Sequence, residues 1–116
     1  MMTLVFTPKS RRRLVEIAKY TIRRFGPAQA RAYEDQLVER TKVLAEGAPP
    51  HGRSCSILMD DDAEAGDLRF VLVLAPGSRR GHYIIFRELD SRLEILDFLS
   101  TDFDLPRHLL NLRERS

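Results

Sequence analysis

The chain has 116 residues, enough for one compact domain and too few for two. Hydrophobic residues make up 43% and charged residues 31%, a balance that excludes a disordered chain. The net charge of +2 is small, which argues against a protein that binds nucleic acid mainly through charge.

The first half of the sequence predicts a strand followed by two helices. Residues 4–6 are apolar and Pro8 stops them, which indicates a short strand. Apolar residues at helical spacing predict a first helix from about Lys9 to Phe25 and a second from about Pro27 to Glu46. Because only Gly26 separates the two helices, we expect them to fold back as an antiparallel pair.

Each predicted helix has one apolar stripe that we expect to be buried. In the first helix this stripe is formed by Leu14, Ile17, Ala18, Thr21, Ile22 and Phe25. In the second helix it is formed by Ala30, Tyr33, Leu37, Thr41 and Leu44.

The second half predicts an irregular stretch over residues 51–67 and then three strands. These strands are Leu68–Ala75, His82–Leu89 and Arg92–Leu99, and the last two are joined by a tight turn at Asp90-Ser91. The segment Asp102–Ser116 begins as a loop, and Pro106–Leu112 is interpreted as a short last helix. The predicted fold is a single α+β domain over residues 1–116, with an N-terminal strand, an antiparallel helical hairpin and a three-stranded antiparallel meander.

Two of the meander strands are apolar on both faces. Residues 70–74 read Phe-Val-Leu-Val-Leu, and residues 83–86 read Tyr-Ile-Ile-Phe. A sheet covered by helices on one face alternates apolar and polar residues, and these strands do not. Either the C-terminal leucines (Leu105, Leu109, Leu110 and Leu112) or a partner covers the second face, and we favour a partner.

The order of elements resembles ParE-type plasmid-stabilisation toxins of the ParE/RelE superfamily. The family's first strand, helical hairpin and following loop are similar to FTPKSRRRLVEIAKYTIRRFGPAQARAYEDQLVERTKVLAEGAPPHGR. Its meander is similar to LRFVLVLAPGSRRGHYIIFRELDSRLEILDFLS, and its closing segment to DFDLPRHLL. The resemblance covers about Val5 to Leu110 and lies in the ordered combination of elements. The stretches Ile57–Asp67 and Pro76–Gly81 look longer than is usual in the family.

The resemblance implies a toxin that forms a hetero-oligomer with a cognate antitoxin. ParE-like members are associated with inhibition of DNA gyrase without a reaction of their own, which is the function we predict. The antitoxin could add a strand or dock a helix in an apolar groove. The residues predicted to bind the antitoxin or the target are Arg69, Phe70, Leu72, Tyr83, Ile85, Phe86, Leu105 and Leu109.

A RelE-like ribonuclease, which cleaves messenger RNA on the ribosome, is the alternative implied by the superfamily. RNA cleavage needs an acid, a base and cations at the phosphate. His82 or His108 could act as base, and Arg69, Arg79, Arg80 and Arg87 could supply cations. The segment after the last strand contains Asp102 and Asp104, which would repel a phosphate. We therefore predict no catalytic residues, and an inert interaction module is the third interpretation.

No metal, cofactor or membrane is expected. Asp60, Asp62 and Glu64 suggest a calcium loop, but the pattern fails because its sixth position is Ala65 and its twelfth is Val71. No apolar run reaches the roughly 18 residues of a membrane span, and the N-terminal apolar stretch is too short for a secretory signal. The chain is therefore expected to be cytoplasmic.

Two further sequence features have mainly structural interpretations. The lone cysteine, Cys55, lacks an evident activating base and is interpreted as a structural thiol. Residues 11–13 and 23–24 give the first helix a basic side, which we interpret as a solvated face, although it could contact DNA or an acidic target. Sequence-specific recognition of nucleic acid is not expected.

Overall fold

The computed structural model describes residues 2–47, 53–54 and 68–101. Its elements in chain order are β1 (Thr3–Phe6), α1 (Pro8–Phe25), α2 (Pro27–Ala45), β2 (Arg53–Ser54), β3 (Arg69–Leu74), β4 (Gly81–Leu89) and β5 (Arg92–Ser100). The strand order in the sheet is β1-β5-β4-β3-β2. The predicted α+β fold is confirmed, with a helical hairpin on a mostly antiparallel sheet.

The ends of the two helices are formed by capping residues, by proline in the first turn and by glycine between the helices. Thr7 caps α1, because the backbone N–H of Ser10 donates to the Thr7 Oγ1 atom at 3.2 Å, and Pro8 occupies the first turn. Gly26 ends α1 with φ of 93°, a conformation that side chains rarely adopt. The same glycine is the N-cap of α2, so one residue reverses the chain.

The two edges of the sheet are built by strands whose pairing is non-local. β1 pairs in parallel with β5, from Thr3 opposite Arg92 to Phe6 opposite Ile95. β2 pairs antiparallel with β3 at only two positions, and it lies in the stretch 51–67 that was expected to be irregular. That expectation was wrong for Arg53 and Ser54. These two residues form a strand only because they pair with β3, and a strand of two residues is too short to produce an alternating pattern in the sequence.

The turn between β4 and β5 confirms the hairpin predicted at Asp90-Ser91. Asp90 has φ of 51° and Ser91 has φ of 54°, the two positive values of a type I′ turn. The register then shifts along the hairpin, with Phe86 opposite Ile95 and Ile85 opposite Asp97. This bulge leaves Leu96 as the extra residue of β5.

The apolar core has two parts, one on each face of the sheet. The cluster under the helices includes Ile17, Tyr33, Leu37, Leu44, Val71, Val73, Ile84, Phe86, Leu93, Ile95 and Phe98. The second cluster consists of Leu68, Phe70, Ile85, Leu96 and Leu99, with Tyr83 packed against it. The sequence prediction that β3 and β4 are apolar on both faces is therefore confirmed.

The predicted buried stripe of α1 is only partly correct. Ile17 and Thr21 are buried, but Ile22 is 45% exposed and Phe25 is 58% exposed. Helical periodicity shows which side of a helix is apolar, and it does not show how much of the circumference a sheet covers. The predicted stripe of α2 is buried throughout (Ala30, Tyr33, Leu37, Thr41 and Leu44).

Candidate functional site

The edge of β3 offers unpaired backbone groups within the part of the chain that the structure describes. β2 pairs with β3 only up to Phe70. The backbone N–H of Ala75 donates to the carbonyl of Arg80, and strand alternation then directs the backbone groups of Leu72 and Leu74 away from β4. The Leu74 carbonyl accepts from Gln36 Nε2 at 3.0 Å, but the N–H and carbonyl of Leu72 face outward.

A shallow groove runs beside this edge. It has a volume of about 360 Å³ and is lined by Gln36, Glu39, Arg40, Val43, Leu72, Val73 and Leu74. The side chains of Leu72 and Leu74 are 48% and 41% exposed, which is unusual for aliphatic residues in a sheet. Burial lowers the pKa of Arg40, because the groove wall reduces the hydration of its guanidinium. The site therefore combines apolar surface, a partly desolvated cation and a strand edge that the described residues leave unpaired at Leu72.

The residues predicted to bind a partner are distributed over three environments. Phe70 and Ile85 lie in the second cluster and are at most 8% exposed, and the Tyr83 ring contacts Phe70 edge-on at 5.7 Å. Phe86 lies in the core under the helices and is 1% exposed. Only Leu72 and Arg69 of the described members are exposed, and Leu105 and Leu109 lie outside the described residues.

Sequence reasoning missed the α2 side of the groove. Gln36, Arg40 and Val43 follow one another at spacings of four and three, so they share a helix face. That face flanks the predicted buried stripe, but only the packing of α2 beside β3 makes it a groove wall. Leu74 was also missed, although its alternation with Leu72 places both on one face of β3.

His82, the predicted alternative base, is held by a buried tyrosine. Its Nδ1 atom lies 2.7 Å from the Tyr33 hydroxyl, and the rings are 5.6 Å apart. The Tyr33 hydroxyl contacts no other described polar group, and its contact with Nδ1 orients the imidazole ring. Which group donates in this contact is set by the tautomer of His82, and in either tautomer Nδ1 is engaged by Tyr33.

The predicted cations do not converge on His82. Arg79 and Arg80 are exposed in the turn before β4, close to His82 in the chain. Arg87 lies five residues further along β4, about 17 Å away at the rise of a strand. Its Nε atom also donates to Glu94 Oε1 at 2.8 Å, an ion pair across β4 and β5. The structure therefore separates Arg87 from the other members of the proposed catalytic set.

The Tyr33–His82 contact gives a prediction about alkaline pH. Burial raises the pKa of Tyr33 to about 12, whereas a tyrosine in an unfolded chain titrates near 10. The folded state favours the neutral phenol, so this stabilisation is complete below about pH 10 and is lost as the pH rises through about 12. We expect Tyr33→Phe to cost about 1 kcal/mol at pH 7 through the lost hydrogen bond.

The difference between wild type and Tyr33→Phe should then shrink as the pH rises from 9 to 12, as measured by urea unfolding. Tyr20→Phe is the control, because Tyr20 is 53% exposed and its replacement should have a small effect at any pH. If the difference in unfolding free energy between wild type and Tyr33→Phe stays constant from pH 9 to 12, the raised pKa of Tyr33 is contradicted.

Among residues 2–47, 53–54 and 68–101, no group of three or more His, Cys, Asp or Glu side chains could hold a metal ion. The rejected calcium loop at Asp60, Asp62 and Glu64, and also Cys55 and His108, lie outside this part of the chain. No helix within the described ranges is long and apolar enough to cross a membrane.

Known proteins with a similar sequence pattern or a similar fold belong to toxin–antitoxin systems. The model of the ParE toxin family of type II toxin–antitoxin systems, parDE, matches residues 4–105. A solved structure described as the chromosomal ParDE toxin–antitoxin system from P. aeruginosa is similar in fold, with a TM-score of 0.62 and 21% identity over 84% of this chain and 94% of that one. No curated protein sequence matches the chain. Since the family model covers most of its length, the chain belongs to the ParE toxin family of type II toxin–antitoxin systems.

Proposed function

We propose that this ParE-family toxin inhibits DNA gyrase by binding it, without a reaction of its own. We further propose that the cognate antitoxin neutralises the toxin by occupying the groove between α2 and β3. The observation that carries the second part is the edge of β3 at Leu72, which no described residue pairs with, beside the exposed side chains of Leu72 and Leu74.

The chemistry of the groove specifies how an antitoxin would bind. An extended segment laid along β3 would pair with the N–H and carbonyl of Leu72, as in other cases of strand addition. Alternate side chains of that segment would cover Leu72 and Leu74, which are otherwise exposed to water. A carboxylate of the segment would stabilise the partly desolvated charge of Arg40.

Two features of the described residues favour inhibition by binding over RNA cleavage. The Nδ1 atom of His82 is engaged by the Tyr33 hydroxyl at 2.7 Å, so this atom is poorly placed to take a proton from a ribose hydroxyl. Arg87 is neutralised by Glu94, so it offers little charge to a phosphate. Arg79 and Arg80 remain the features that a ribonuclease would use, so the assay of the target also measures RNA cleavage.

The groove assignment is tested with paired substitutions at one residue. Leu72→Pro removes the outward N–H while leaving the ladder to β4, whereas Leu72→Thr keeps the N–H and removes apolar surface. We expect Leu72→Pro to weaken antitoxin binding by about 10- to 100-fold, from the lost strand pairing and apolar contact. Leu72→Thr should have a smaller effect, and calorimetry with the antitoxin encoded beside the toxin gene would measure both.

Circular dichroism and thermal unfolding would establish that both variants remain folded. If a folded Leu72→Pro variant binds the antitoxin as tightly as wild type, the groove is not the antitoxin site.

The target assignment is tested with purified components. The toxin should inhibit supercoiling by DNA gyrase, and its antitoxin should relieve the inhibition. His82→Ala should inhibit supercoiling like the wild type, because no reaction depends on it. The ribonuclease hypothesis would replace this proposal if the wild-type toxin left supercoiling intact and cleaved ribosome-bound messenger RNA, and if His82→Ala abolished that cleavage.

A further inference from the structure

Positive charge is segregated onto α1. This helix contains seven of the 19 basic residues and one of the 17 acidic residues of the chain, a net charge of +6. Since the whole chain carries +2, the remainder carries −4. Helix α2, of similar length, has three basic and three acidic residues and is neutral. A solvated helix face usually mixes both signs, as α2 does.

Most of the α1 cations have no carboxylate partner in the described structure. Lys9 and Arg13 approach the buried Asp97, and Arg13 also contacts Glu16. The other five are exposed, and none forms an ion pair with a described carboxylate: Arg11, Arg12, Lys19, Arg23 and Arg24. These five charges are therefore available to an anionic partner.

Exposed aliphatic side chains lie among these cations. Val15 is 53% exposed and Ile22 is 45% exposed, and their spacing of seven places them on one side of α1. Arg11, Arg12, Lys19 and Arg23 surround them at helical spacing, and all face away from the buried Ile17 and Thr21. We call this set of six residues the α1 face.

The composition of the α1 face selects the chemistry of its partner. Its cations complement carboxylates or phosphates, but Val15 and Ile22 need apolar surface against them. A phosphodiester backbone supplies charge and no apolar complement, and the negative remainder of the chain opposes a large polyanion. An acidic protein surface with an aliphatic centre satisfies both requirements.

The α1 face shares no residue with the antitoxin groove, whose lining residues belong to α2 and β3. Helix α1 is joined to β5 through Arg13 and Asp97, whereas α2 is joined to β3 through Gln36 and Leu74. We infer that the α1 face is the surface with which the toxin binds its target, and that the target presents carboxylates around an apolar centre. This inference rests on the proposed function, inhibition of a target by binding.

Charge reversal on the α1 face tests the inference. The variant Arg12→Glu/Arg23→Glu changes two exposed cations of the face, and Arg31→Glu/Arg92→Glu makes the same change in net charge elsewhere on the exposed surface. The measurements are growth arrest on induced expression, inhibition of purified gyrase, and affinity for the antitoxin. We expect the first variant to need about 10-fold more protein for half inhibition, because opposed charges at an interface disfavour association. The control should stay within about threefold, as should antitoxin affinity.

A second variant tests the apolar centre separately. Val15→Ser/Ile22→Ser keeps every charge, and it should also weaken inhibition by about 10-fold through lost apolar contact. Inhibition equal to that of wild type would overturn the claim that the target is apolar at its centre.

Other outcomes distinguish the inference from the proposed function. If Arg12→Glu/Arg23→Glu arrests growth as well as wild type, the α1 face is not the target surface. If antitoxin affinity falls by the same factor as inhibition, the face belongs to the antitoxin and the inference is overturned. The affinity for a naked DNA duplex is measured in parallel, and a loss of this affinity with inhibition unchanged would also overturn the inference. If wild type arrests growth without inhibiting gyrase, and the variant does not arrest growth, the inference stands and the gyrase proposal fails. A wild type without any effect on growth would overturn both.

Discussion

Replacing Asp97 with alanine is expected to lower the free energy of unfolding by about 3 kcal/mol, which is a large share of the stability of a domain of this size. Asp97 is 1% exposed and lies at the bulge of β5, beyond the end of β1. Its Oδ1 atom accepts from Arg13 Nε at 3.1 Å and from the backbone N–H of Phe98 at 2.8 Å. Its Oδ2 atom lies 3.6 Å from Lys9 Nζ.

The expected loss of stability is large because the Asp97 carboxylate of β5 contacts two residues of α1, Lys9 and Arg13. Burial lowers the pKa of Arg13, but the hydrogen bonds and charges of Asp97 and, to a smaller extent, Glu16 together outweigh this and raise the pKa. Removing the carboxylate leaves the buried N–H of Phe98 without its acceptor. The side chains of Lys9 and Arg13 are 35% and 28% exposed, so water can partly solvate the two cations left behind.

Two comparisons separate the contributions of Asp97. Asp97→Asn keeps an acceptor for the Phe98 N–H and loses the charge, so it should cost about 1–2 kcal/mol. Glu16→Ala removes the other carboxylate partner of Arg13. Because the Glu16 side chain is 64% exposed, this substitution should cost no more than about 0.5 kcal/mol. Chemical denaturation would measure all three. An Asp97→Ala protein within about 1 kcal/mol of wild type would show that Asp97 does not anchor α1.

Gly81→Ala is expected to destabilise the protein by about 2–3 kcal/mol, because a Cβ atom there has no room. A Cβ atom built on Gly81 would overlap the Val73 carbonyl oxygen and would lie 2.8 Å from Leu74 Cα. These are backbone atoms of the neighbouring strand, so relief requires β3 and β4 to separate. Since β3 forms one side of the groove that we propose as the antitoxin site, antitoxin binding should weaken as well.

Gly77 provides the matched control for Gly81. It lies in the same connection between β3 and β4, with φ of 70°, and a Cβ atom added there would meet no described atom within 4 Å. Gly77→Ala should therefore cost only the conformational strain of about 1 kcal/mol. Thermal unfolding of both variants would compare the cost of the steric overlap at Gly81 with the cost of the positive φ at Gly77. If Gly77→Ala proves the more costly, backbone conformation and not close strand approach limits this connection.

The sequence was most informative where structure depends on neighbours in the chain. Gly26 and Pro27 marked the hairpin of helices, and the structure places the helix boundaries at those residues. Asp90-Ser91 marked the turn between β4 and β5, because short polar residues tolerate positive φ. The buried stripe of α2 was also predicted in full from its spacing.

The candidate site was predictable only in part. The apolar character of both faces of β3 and β4 was evident from their composition, and Leu72 was named as a binding residue. Phe70, Ile85 and Phe86 were named beside it, but they are buried in two different clusters. Composition could not assign these three residues to a face, because their neighbours along the strands are apolar as well.

The amino-acid sequence by itself determined the number, type and order of the principal elements, since capping, turn conformation and periodicity act over a few residues. Only the tertiary structure decided that β1 pairs with β5, that Asp97 meets Lys9 and Arg13, and that α2 and β3 together line one groove. These contacts join residues tens of positions apart. They arise from the packing of finished elements, and no local pattern in the chain encodes which element lies next to which.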